Sequence, residues 1–114
     1  MDYLKSLFNI EGKVAVLTGG GGTLVGEMAR GFLNVGAKVV LLDVNEENLN
    51  KKVNELKNYG KEIIGLKCNV LDEENIRDAN NEIINKFNRI DVFVNAATIE
   101  ELIFSIIYKS RINN

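Results

Sequence analysis

The sequence predicts an α/β fold, a doubly wound parallel sheet cut short after about four strands. Three observations predict it. Short apolar runs of strand length alternate with helix-length segments along the chain, the order that builds βαβ units. Four consecutive glycines, Gly19 to Gly22, stand between the first apolar run and the first helical pattern. An aspartate, Asp43, closes the second apolar run about 20 residues later, the spacing of a nucleotide-binding unit.

Each element has its own signal. Val14 to Leu17 form a continuous apolar run, the mark of a strand buried on both faces. After the glycines, Leu24, Met28 and Phe32 recur at helical spacing, with Leu33 widening the face, and Gly36 stops the helix. Ala37 to Val44 reads as the second strand. Asn45 then caps a helix with Glu46 and Glu47 in its first turn and Leu49, Val53 and Leu56 on its apolar face, ending at Gly60. Glu62 to Val70 is the third strand. Asp72 caps the third helix, with Glu73 and Glu74 in the first turn and Ile76, Ile83 and Phe87 as its stripe, and Ile90 to Ala97 is the fourth strand. Residues 1–98 make one domain, and 99–114 are a tail or the start of the next helix.

Composition narrows the function. The 114 residues suffice for one domain, and 46% hydrophobic with 26% charged residues is ordinary for a globular chain. A net charge of −2 with no basic run gives no reason to expect nucleic acid as a partner. The apolar run after Ile99 is too short for a membrane span, and the N-terminus lacks the pattern of a signal peptide, so a cytoplasmic location is expected. The chain has no histidine, which removes the usual general base and the commonest metal ligand. Its one cysteine, Cys68, lies in an apolar segment and reads as a buried thiol. No metal site is expected.

The glycines are the chemical clue. A strand, a glycine turn and a helix N-terminus together present backbone N–H groups and a positive dipole end to a phosphate, with no Cβ atoms in the way. A tight turn that binds nothing has the same local pattern. Asp43 tips the balance: an acid at the end of the second strand accepts hydrogen bonds from the adenosine ribose in a Rossmann-type site, and its charge opposes the extra phosphate of NADP, so NAD is the expected cofactor.

These residues resemble the N-terminal half of the short-chain dehydrogenase/reductase family, over roughly residues 7 to 98. "GKVAVLTGG" is similar to that family's opening strand, "CNV" at Cys68 to Val70 resembles its adenine-contacting pair, and "DVFVNAAT" from Asp91 to Thr98 resembles its asparagine motif after the fourth strand. The resemblance implies cofactor contacts at Gly19, Gly21, Gly22, Thr23, Leu24, Asp43, Asn69, Val70, Asn95 and Ala96. Asn95 would support the sheet and line the nicotinamide side. The family's common pattern would put glycines at 23 and 25, where this chain has Thr23 and Val25, with Gly26 one residue late. The looser "TGGGGTLVGEMA" is similar to sugar-acid oxidoreductases of the mannonate or fructuronate type. Asn69 replaces the family's aspartate, and Thr98 replaces a glycine and would crowd the cleft.

The family's chemistry is hydride transfer between the nicotinamide and a carbinol or carbonyl carbon, with a tyrosine whose pKa is lowered by a lysine four residues later. Here Tyr3, Tyr59 and Tyr108 are followed at that spacing by Leu7, Ile63 and Ile112, so no catalytic residue is expected in this chain. Two readings follow: the cofactor-binding portion of an NAD-dependent oxidoreductase, or a non-catalytic dinucleotide module or half of a split enzyme. A fragment of an S-adenosylmethionine-dependent methyltransferase also uses a glycine turn and an acid after the second strand, but fits the motifs less well. Half a sheet is expected to self-associate as a homo-oligomer or to need a complementary C-terminal half.

Overall fold

The computed structural model describes residues 9–19, 21–60 and 62–96. Four strands, β1 (Val14–Thr18), β2 (Lys38–Asp43), β3 (Ile63–Lys67) and β4 (Val92–Asn95), form one sheet in the order β3-β2-β1-β4. Every pairing is parallel, with Ala15 beside Val39 and Val92, and Val40 beside Ile64. Three helices connect them: α1 (Thr23–Asn34), α2 (Glu46–Leu56) and α3 (Glu73–Phe87).

Alternation along the strands makes two cores. Ala15, Leu17, Val39, Leu41 and Ile63 face one side, where they meet Val25, Ala29 and Leu33 of α1 and Leu49, Val53 and Leu56 of α2. Val14, Val16, Val40 and Leu42 face the other, against Ala79, Ile83 and Phe87 of α3 and Cys68. β1 and the middle of β2 are buried throughout, as strands covered on both faces must be, and each such Val or Leu contributes about 1.5–3 kcal/mol. β3 and β4 are only partly covered.

The caps follow the sequence. Asn45 accepts the Asn48 N–H through its side chain, and Asp72 accepts those of Glu74 and Asn75. Gly36 ends α1 at φ +88°, with its N–H bonded to the Leu33 carbonyl and the Ala37 N–H to that of Phe32, a paired C-cap that needs the left-handed conformation.

Several expectations shift. α2 stops at Leu56 with Lys57 as its C-cap, short of Gly60; β2 begins at Lys38 and not at Ala37, and β4 at Val92 and not at Ile90; and on α3 Ala79 is buried while Ile76 is 46% exposed. The buried stripe of α1 is Val25, Ala29 and Leu33, one residue on from Leu24, Met28 and Phe32; Met28 and Phe32 flank the core and Leu24 stays 73% exposed. Both series repeat every four residues, so spacing alone does not choose between them. The third strand stops at Lys67 and does not reach Val70. The Cys68 N–H makes the last rung to the Asp43 carbonyl, and the Asn69 side chain then accepts the Leu71 N–H at 3.0 Å, turning the chain out of the sheet. Ala97, Thr98, the 99–114 segment, Tyr3 and Tyr108 lie outside the described residues, as does the expected boundary at 98.

Candidate functional site

In a parallel sheet all strands deliver their C-terminal ends to one edge, and ligands bind there, where the connections diverge. This edge collects Thr18, Asp43, Cys68 and Asn95. The divergence falls between β1 and its two neighbours: α1 leads away toward β2, while β4 flanks β1 on the other side.

The glycine turn leaves β1 at Gly19, whose φ of +73° is a left-handed conformation that favours glycine. The Gly22 N–H returns to the Gly19 carbonyl at 3.0 Å, closing the turn. Gly22 is the N-cap of α1 and no side chain caps the helix there. The first-turn donors from Thr23 onward are therefore presented at the sheet edge, where an anion would meet them and the dipole together. Thr23 and Leu24 are both exposed at this mouth. Gly21 has a different reason to be glycine: a Cβ there would lie 2.9 Å from both Asn48 Cβ and Asp43 Oδ2.

Asp43, half-buried at the end of β2, faces the turn directly. Its Oδ2 accepts the Gly21 N–H at 2.8 Å and its Oδ1 the Asn45 N–H at 3.0 Å. The acid expected to meet a ribose is thus also hydrogen-bonded to the loop.

On the far side of β1, Thr18 is fully buried and donates from Oγ1 to Asn95 Oδ1 at 2.9 Å. This contact joins the ends of β1 and β4. Ala96 packs against the core on the α1 side. Asn69 is exposed, with its side-chain oxygen committed to the turn and its N–H 3.3 Å from Asn75 Oδ1. Val70 lines a cavity of about 190 Å³ between α3 and the sheet, together with Cys68, Ile76, Ile83, Phe93 and Asn95.

Gly19, Gly21, Gly22, Thr23, Leu24 and Asp43 are thus gathered around one loop, Asn95 and Ala96 lie across β1 from it, and Asn69 and Val70 follow β3. Sequence reasoning missed Thr18, whose partner is 77 residues away, and Asn48, whose packing on Gly21 has no periodic signature. Val25 and Gly26 are also clarified. Val25 is 4% exposed within the core, and Gly26 admits the aliphatic stem of Lys52, with a Cβ there lying 3.0 Å from Lys52 Cδ. Lys51 and Lys52 border a polar cleft beside Gly21, where Lys52 Nζ lies 3.3 Å from Glu55 Oε2.

Comparison with known proteins gives a consistent result. The family pattern described as short chain dehydrogenase matches residues 13–111. An "Uncharacterized oxidoreductase" of Haemophilus influenzae is 35% identical over 89 residues, covering 78% of this chain and 31% of that protein. The 7alpha-hydroxysteroid dehydrogenase of Escherichia coli K12 is 31% identical over 88 residues, covering 77% of this chain and 34% of its own length. The chain therefore spans about a third of the length of these relatives. Among solved structures, an NAD+-bound xylitol dehydrogenase superposes with a TM-score of 0.71 at 30% identity, over 74% of this chain and 32% of that one. A "putative D-Mannonate oxidoreductase" from Haemophilus influenza with bound NAD gives 0.70 at 32% identity, over 79% and 32%.

Proposed function

The chain belongs to the short chain dehydrogenase family, and on that premise we propose that it is the NAD(H)-binding N-terminal portion of an oxidoreductase that exchanges hydride with a secondary alcohol or carbonyl. The observation that carries this reading is the opposition of Asp43 to the glycine loop at the C-terminal edge of the sheet, with an α1 N-terminus that no side chain caps. The uncapped α1 N-terminus and the carboxylate facing it suit a dinucleotide. Gly19, Gly22, Thr23 and Leu24 would hold the pyrophosphate, Asp43 the adenosine ribose, and Asn69 and Val70 would border the adenine. Asn95 and Ala96 would line the nicotinamide side, and the nicotinamide would supply hydride chemistry.

Calorimetric titration tests this reading. NAD(H) is expected to bind more tightly than NADP(H), because the Asp43 charge opposes a 2′-phosphate and Glu55 offsets the nearby Lys52. Tighter NADP(H) binding would overturn the assignment. Asp43→Ala is expected to weaken NAD(H) by about 1.5–3 kcal/mol, the range for a hydrogen bond to a charged group.

A sugar acid is the substrate class we favour, on the likeness of the "TGGGGTLVGEMA" loop to the mannonate or fructuronate type. Within the given sequence no tyrosine has a lysine four residues later, so these residues by themselves supply no tyrosine–lysine pair. The purified chain is then expected to show no turnover of sugar acids or secondary alcohols above background. Turnover abolished by a single substitution in this chain would overturn that expectation. A cytoplasmic location is part of the same proposal; among the described residues, no helix is long and apolar enough to cross a membrane.

A further inference from the structure

Asp43 has two partners that ribose recognition does not require. Its Oδ2 holds the Gly21 N–H at 2.8 Å and its Oδ1 the Asn45 N–H at 3.0 Å. Asn45 caps α2 through the Asn48 N–H, also at 3.0 Å, and Asn48 packs back on Gly21, where a Cβ would lie 2.9 Å from Asn48 Cβ. The loop, the carboxylate and the first turn of α2 form one closed ring of contacts. A carboxylate offers about four lone-pair positions, so each oxygen can keep its backbone N–H and still accept a ribose hydroxyl.

Resting on the dinucleotide reading, we propose that Asp43 is a positioning residue for the phosphate-binding loop in addition to its ribose contact. A run of glycines has more backbone freedom to lose than any other, and the donors that would hold a phosphate converge only if that freedom is already spent. The bond at Gly21 fixes the loop to β2 before ligand arrives. Asparagine would set its amide nitrogen against one of the two N–H donors and so satisfy only one of them.

The test uses the full chain and its Asp43→Asn and Asp43→Ala variants. Gly21 amide exchange, followed by NMR, is expected to speed up by about tenfold or more in Asp43→Ala, the factor set by losing a hydrogen bond to a charged group, and in Asp43→Asn either the Gly21 or the Asn45 amide is expected to do so, because one oxygen can face only one of the two donors. The Val40 amide, deep in β2, is expected to keep its protection. Unchanged Gly21 exchange in Asp43→Ala would overturn the proposal, as would equal acceleration at Val40, which would mean general destabilisation. The ligand arm compares ADP with 2′,3′-dideoxy-ADP, which has no ribose hydroxyls to meet Asp43. Weaker binding of both nucleotides by Asp43→Ala supports the positioning role. Loss of ADP affinity alone, with the dideoxy compound unaffected, would limit Asp43 to the ribose and overturn the role while leaving the dinucleotide reading intact. Failure of the unmodified chain to bind either nucleotide would overturn the dinucleotide reading and this role with it.

Discussion

Asp91 ties the start of β4 to the start of β1 by a reciprocal pair of bonds, its N–H to the Val14 carbonyl and its Oδ2 from the Val14 N–H, both at 2.9 Å. Arg89 completes the arrangement, with Nε at 3.0 Å and Nη2 at 2.6 Å from Oδ1. The Arg89 guanidinium first, and the Val14 N–H second, hold the Asp91 carboxyl below its usual range. A carboxylate with a lowered folded-state pKa contributes stability above its unfolded value, near 3.9, and loses it as pH falls through the folded value. Asp91→Asn is therefore expected to lower the urea midpoint at pH 6, and the difference from the unmodified chain is expected to shrink below about pH 4 as Asp91 itself protonates. Val25 supports a second residue-scale expectation. It stands where the family pattern has glycine, yet its side chain is core. Val25→Gly is expected to cost about 2–4 kcal/mol in urea unfolding, from lost burial and from glycine in a helix, and not to tighten cofactor binding. At this scale Asp43 was legible because spacing and charge define its position. Thr18 and Asn48 were not, because their partners are brought together only by the folded chain.

Among the elements, α2 and β3 approach each other more closely than any hydrophobic pattern announces. A Cβ on Gly65, in the middle of β3, would lie 2.9 Å from Leu49 Cγ and 2.9 Å from Val53 Cγ2. Gly65→Val is expected to push α2 off the sheet and to cost about 1–3 kcal/mol, read as a lower urea midpoint with an unchanged slope. Gly31, on α1, has no other side chain or neighbouring element within 4 Å of its Cβ position. Gly31→Ala is expected to raise stability by about 0.5–1 kcal/mol, since alanine is the better helix former. The starts of α2 and α3 and the stop of α1 were legible because Asn45, Asp72 and Gly36 announce themselves by chemistry that is local, whereas α2 stops at Leu56, before the expected Gly60. The buried face of α1 was not, since Val25-Ala29-Leu33 and Leu24-Met28-Phe32 have the same period. The end of β3 was missed for a similar reason: "CNV" continues the apolar run by composition, while the Asn69 side chain turns the backbone away.

For the whole molecule, strand order 3-2-1-4 puts β4 beside β1, and among the described residues the outer edge of β4 has no partner. Phe93 on that strand is 56% exposed, with the exposed Ile76 and Ile90 also lining the α3 cavity. An apolar edge of this kind favours association. Sedimentation is expected to show concentration-dependent self-association, reduced by Phe93→Lys; a monomer over the whole range would mean that the edge is covered. The parallel order and the two-sided core were legible because each depends on alternation along the entire chain. The same cavity has a kinetic consequence. Its wall includes Cys68, the chain's one cysteine, which is 1% exposed and so is out of reach of a bulky thiol reagent while α3 stays seated. Where α3 recloses faster than the reagent reacts, the labelling rate of that single sulfur reports the population in which the helix is lifted from the sheet, and it falls about tenfold for each ~1.4 kcal/mol that holds the helix down.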